Sequence, residues 1–145
     1  INKKNMKRIE LIQPYKILSS NTTKLTKMDD NDKFIFIKFL REIKPIVEEL
    51  TDALNVAQEK LKGDNHKEIM DKFYKWDVID DATKLEVSNY LKKYNEDVEK
   101  AVHDIAQSEI EIKNTLSEDA FDKFMASNDF DVATIMQLSE CLIAK

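Results

Sequence analysis

From Phe36 onward, apolar residues recur at alternating spacings of four and three: Phe36, Leu40, Ile43, Val47, Leu50, Leu54, Ala57 and Leu61. That is the a/d pattern of a helix burying one stripe, and it ends at Gly63, the residue favoured just past a helix C-terminus. Asp30, Asn31 and Asp32 stand ahead of it as capping residues. Ile35, Phe39 and Ile46 widen the apolar face in its first half. Pro45 falls inside the pattern, where it removes a backbone donor and crowds the preceding turn. The apolar phase is the same on both sides, so the pattern predicts one helix kinked near residues 41–45 rather than two helices. A second set, Val87, Leu91, Tyr94, Val98, Ala101 and Ile105, repeats the spacing, with Asp81 as its cap. Between the two, residues 66–77 carry Ile69, Met70, Phe73 and Trp76 on a shorter amphipathic segment. Two heptad helices joined by a short connector predict an antiparallel pair with facing seams.

Strict alternation of apolar and charged residues, the signature of a half-buried strand, occurs at residues 7–11 and 108–113. The two segments are expected to pair as a small two-stranded ribbon closing the start of the chain onto its last third. A short helix is expected over residues 12–20, with Pro14 in its first turn. Near the end, Leu116-Ser117 precedes Phe121, and Phe130-Asp131 precedes Ile135, each with the spacing of a hydrophobic staple around a cap. Two short C-terminal helices follow from that, with a turn at residues 126–129. The whole reads as a single mainly α domain over residues 1–145, with residues 1–8 as a flexible basic arm.

Composition sharpens the picture. One Gly and two Pro in 145 residues leave too little punctuation for a sheet-built fold. The lone Cys141 lies in an apolar run and reads as a core residue, which suits a reducing compartment. No apolar stretch approaches the roughly 20 residues that span a bilayer, so no membrane association is expected. Met6 is expected to be the natural start, with residues 1–5 from elsewhere. Residues 1–27 hold seven cations against Glu10, a net of +6, while the whole chain is −5, which leaves −11 on the remainder. A basic arm could touch nucleic acid, but the acidic body would repel phosphates, so the arm is expected to complement acidic protein surface.

Chemistry is harder to find. Asp29, Asp30 and Asp32 suggest a calcium loop, but the positions that need Gly and a bidentate Glu hold Phe34 and Leu40. Glu99, His103 and Asp104 cluster on a helix, but a metal needs at least three convergent ligands, and neither an H-E-x-x-H motif nor a Cys pair accompanies them. Asp77, Asp80 and Asp81 read as solvated turn and cap residues rather than an acid–base pair. Neither Cys141 nor any Ser has a His nearby in sequence. No catalytic residue, metal, cofactor or small-molecule substrate is therefore expected, and the chain reads as a non-enzyme.

Several stretches together carry a resemblance. They are Met6-Lys7-Arg8-Ile9-Glu10-Leu11; Lys24-Leu25-Thr26-Lys27-Met28-Asp29-Asp30 leading into Lys33-Phe34; and Arg41 through Pro45 to Glu49. Further along come Gln58-Glu59-Lys60-Leu61, Tyr94-Asn95 with Asp97-Val98-Glu99, and Leu116-Ser117-Glu118-Asp119-Ala120-Phe121 running to Met125-Ala126-Ser127-Asn128-Asp129-Phe130. The chain from Met6 onward resembles small helical proteins encoded among the virion-structure and assembly genes of tailed bacteriophages and prophages of gut bacteria. The segment from Phe73 to Asp80 falls outside it. The resemblance implies a minor virion component or assembly factor, found in the virion or host cytoplasm, with other phage proteins or its own copies as partners. A host-directed phage inhibitor, and a nucleic-acid-associated protein using the basic arm, are the rival expectations. Candidate partner-binding residues are the surplus apolar ones: Ile35, Phe39 and Ile46 beside the first seam, and Phe73 and Trp76 on the connector. A covered Phe or Leu contributes roughly 1.5–3 kcal/mol, so these side chains either pack the terminal helices or meet a partner.

Overall fold

The computed structural model describes residues 3 to 144; Ile1 and Asn2, the tip of the expected basic arm, lie outside them. In chain order the elements are β1 (Lys4–Lys7), a 3₁₀ turn (Arg8–Leu11), α1 (Ile12–Leu18), α2 (Asp30–Leu61) and α3 (His66–Tyr74). A second 3₁₀ turn (Trp76–Val78), α4 (Asp81–Gln107), β2 (Glu109–Ile112), α5 (Glu118–Ala126) and α6 (Val132–Leu142) complete them. The mainly helical class and the two-stranded ribbon stand as the sequence predicts. Helix α2 runs unbroken through Pro45. Where the sequence reads as one domain, the chain gathers into two compact units, Ile1–Leu50 with Ile105–Lys145, and Thr51–Asp104.

In the first unit, β1 and β2 pair antiparallel with Lys4 opposite Ile112 and Lys7 opposite Glu109. The ribbon is where it is expected, but its first strand lies further toward the N-terminus than the alternation placed it. Residues 8–11 coil instead, because the Glu10 carboxylate accepts the Lys7 N–H at 2.8 Å and Leu11 is fully buried. An Arg8 N–H bond to the Ser108 carbonyl, 2.9 Å, closes the ribbon. Residues 4–8 are thus strand and turn rather than a flexible arm. Lys3 pairs with Glu111 at 3.3 Å, and the Arg8 Nη1 lies 2.7 Å from Glu49 Oε2. The Arg8 contact is one of charge: Nε and Nη1 are buried without a hydrogen-bond partner of good alignment.

Against the ribbon and α1 sits one apolar core. Phe36, Phe39, Ile43 and Val47 of α2 enter it together with Leu116, Phe121 and Phe124 around α5, and Leu138, Cys141 and Leu142 of α6. The rings of Phe36 and Phe124 meet at a tilt of 36° with centroids 5.1 Å apart. Both predicted C-terminal caps form: the Ala120 N–H reaches Ser117 Oγ at 3.1 Å, and the Thr134 N–H reaches Asp131 Oδ1 at 2.8 Å. The turn between α5 and α6 also works as a clasp. The Asn128 side chain accepts from Lys24 N and donates to Lys24 O, and Ser127 Oγ accepts from Lys27 N, each at 2.8 Å.

The second unit is a helical hairpin with a short third helix. The end of α2 and the length of α4 run antiparallel there, with the Tyr94 hydroxyl donating to the Gln58 carbonyl at 2.9 Å and Tyr90 Oη accepting from Gly63 N at 3.2 Å. Two cap positions and one seam differ from expectation. Asp29 rather than the Asp30–Asp32 triplet caps α2, its carboxylate accepting from Asp32 N at 3.0 Å. Asp80 rather than Asp81 caps α4, accepting from Thr83 N at 2.7 Å. Late in α4 the buried positions are Val98, Val102 and Ala106, with Ala101 exposed. A straight helix drifts about 20° per heptad from a strict seven-residue repeat, which rotates Ala101 out and Val102 in.

Candidate docking surface

The five residues proposed as partner-binding divide between the two units. Phe39 is fully buried, and Ile35 and Ile46 are half-buried against the first unit's core. Phe39 is therefore corrected from candidate to core residue: α5 and α6 fold over this face of α2, and the surplus beyond a two-helix seam is what they cover. Phe73 and Trp76 behave differently. Phe73 stays 42% exposed, Trp76 is half-buried, and their rings meet edge to face at 6.4 Å.

They sit where they do because α3 carries Ile69 and Phe73 four apart on one face, and the 3₁₀ turn swings Trp76 onto the same side. Ile69 is buried, which fixes that face against the hairpin. With Val87, Ser88 and Leu91 of α4, Phe73 and Trp76 line an open groove of about 370 Å³ that is almost wholly apolar. Lys84 reaches over the Trp76 ring, 5.6 Å from its centroid. Lys72 of α3 bridges Glu86 of α4 at 2.9 Å and Glu68 at 3.2 Å, and those hydrogen bonds raise its ammonium pKa.

Beside the groove, the 3₁₀ turn and its exit carry Asp77, Val78, Ile79, Asp80 and Asp81. Val78 is 80% exposed, the most open large apolar side chain among the described residues. Asp80 holds its carboxyl below the usual value because Thr83 donates to it, first from the side chain and then from the backbone. The apolar spacing singles out Phe73 and Trp76 but not Val78, Leu85 and Tyr74, which are all exposed. Their signal was available: each is a large apolar residue that falls off the stripes at 69–73 and 87–98.

Glu99, His103 and Asp104 lie with Glu96 and Lys100 on one open face of α4. Among the described residues no group of three His, Cys, Asp or Glu side chains is placed to hold a metal ion. Asp77 and Asp81 are exposed at the turn, and Asp29 is taken up in capping α2. Cys141 is buried, its thiol pushed up to about 12, chiefly by burial. Near the groove's opposite end, His66 Nδ1 lies 2.8 Å from Tyr90 Oη, and its ring leans on Tyr94 at 4.9 Å. This polar knot closes the α2–α3 turn. Loss of solvation pushes the Tyr94 phenol up.

No helix among the described residues is long and apolar enough to cross a membrane. No family model matches the chain, and neither does any curated protein or solved structure.

Proposed function

We propose that this chain works by binding other proteins rather than by catalysis, as a minor virion component or assembly factor of a tailed bacteriophage. The phage setting comes from the sequence resemblance. The groove lined by Phe73, Trp76, Val87 and Leu91 carries the binding reading. Folded chains cover large aromatic and aliphatic side chains wherever a neighbour is at hand, and an open apolar groove with charged residues at its edge has the make-up of a protein contact. Its walls are also fixed in advance, by buried Ile69 and by the Lys72 bridges, so docking would immobilise few side chains.

Gradient-purified particles and assembly intermediates, probed for the chain, test the reading. Presence in either supports it, and absence from both removes the structural role. Replacing Trp76 with Ala should abolish that incorporation without unfolding the protein, because Trp76 is half-buried at the groove rather than set in the main core. Pairing of Lys3 and Arg8 with carboxylates of their own chain weakens the nucleic-acid alternative. Duplex DNA binding that falls steeply with salt would revive it.

A further inference from the structure

A second surface fits the groove, and it belongs to the same chain. On the outer face of α2, Phe34, Ile37, Lys38, Arg41 and Lys44 follow one another at helical spacing, and all five are exposed. Phe34 is 64% exposed. Over about 15 Å of helix this face passes from two projecting apolar side chains to three cations. Lys44 lies 4.0 Å from Glu48, whereas Lys38 and Arg41 form no ion pair among the described residues. The one carboxylate within that stretch, Glu42, is engaged by Lys113 and Asn114.

The groove side is its complement in kind. Phe73 and Trp76 line an apolar trough, the exposed carboxylates of Asp77, Asp80 and Asp81 follow Trp76 along the chain, and the Lys84 ammonium stays over the Trp76 ring. Asp77 and Asp81 likewise form no ion pair among the described residues. We propose that the α2 face of one copy docks into the Phe73–Trp76 groove of a second copy, Phe34 and Ile37 filling the trough while Lys38 and Arg41 meet the acidic turn. This rests on the protein-binding reading above and names the partner. Since the two patches differ, each contact pairs the groove of one copy with the α2 face of another, and copies close as a reciprocal dimer or a ring, or add into an open chain.

Light scattering on the full chain over a range of concentrations tests this, with two charge-reversal variants, Arg41→Glu and Asp77→Lys. Both positions are exposed, and far-UV circular dichroism checks that each variant keeps its helices. The unaltered protein should exceed the monomer mass as concentration rises, and fall back as salt screens the charged rim. Each variant alone should remain a monomer. In an equimolar mixture the sound α2 face of Asp77→Lys meets the sound groove of Arg41→Glu, so the mixture should exceed the monomer mass that each variant keeps alone. A monomer at every concentration in low salt, variants that associate as the unaltered chain does, or a mixture that stays monomeric would each overturn the proposal. Duplex DNA captured by the α2 face and lost in Arg41→Glu would overturn it too. A chain that stays monomeric yet enters particles leaves the protein-binding reading standing and makes a second copy the wrong occupant.

Discussion

Glu42 shows how much one side chain on a long helix can hold. Its carboxylate accepts from Lys113 N at 2.8 Å, Asn114 N at 3.0 Å and Asn114 Nδ2 at 2.9 Å, tying the loop after β2 to α2. A hydrogen bond to a charged group contributes about 1.5–3 kcal/mol, and these three share one acceptor group. Glu42→Ala should lower stability by about 2 kcal/mol in urea unfolding, and Glu42→Gln by clearly less, since the amide oxygen still accepts. Cys141 makes a different prediction. Its thiol is fully covered, with its pKa raised to about 12, so a thiol reagent at pH 8 should label it only after denaturation. The thiol's folded value lies above its ordinary 9.0, so its contribution is whole below pH 9 and is lost as pH rises toward 12. Aspartates run the other way. Asp80 and Asp131 are held below 3.8 by bonds from Thr83 and Thr134, so what they contribute is present above that value and disappears as pH falls below it.

Among the elements, the helix ends and Pro45 carry the sharpest expectations. Ser117 Oγ meets one of the N–H groups that a helix start leaves unpaired. Ser117→Ala should therefore cost about 1 kcal/mol, read as a lower midpoint in denaturant. Pro45 is exposed within α2 and denies the helix one backbone bond. A proline inside a helix costs about 3 kcal/mol relative to Ala, partly offset by the freedom it removes from the unfolded chain. Pro45→Ala should accordingly raise stability by about 1–2 kcal/mol, and no change would show that α2 already accommodates the ring. Helix starts and turns were legible because their chemistry is local: a side-chain oxygen three residues ahead of an amide needs no distant partner. The misplaced caps at Asp29 and Asp80 mark the limit. Where several aspartates adjoin, any of them can cap, and the choice follows where neighbouring side chains pull the first turn.

At the scale of the molecule the two units differ in how much they bury. The first holds the continuous core built on Phe36, Phe39, Phe121 and Phe124, whereas buried apolar positions in the second are few and small, Ala57, Ile69, Val87, Val98 and Val102. Local opening follows local burial. Amide exchange should be faster in α3 than in the core-facing turns of α2 and α5, and equal protection would contradict the picture. Phe124→Ala should cost about 3–5 kcal/mol, because the fully covered ring leaves a cavity that Phe36 and Phe130 line.

Sequence alone determined the helical class, the two long helices, the caps of the two C-terminal helices and the pairing of two short segments. Each is written in spacing, and spacing is a local property of a backbone with 3.6 or 2 residues per repeat. Which apolar surplus stayed exposed was decided only in three dimensions. Phe39 looks no different in sequence from Phe73, yet α5 and α6, almost eighty residues further along, join the core that covers Phe39 fully, while Phe73 stays exposed. Burial depends on what the rest of the chain brings alongside, and no periodicity within a segment records that.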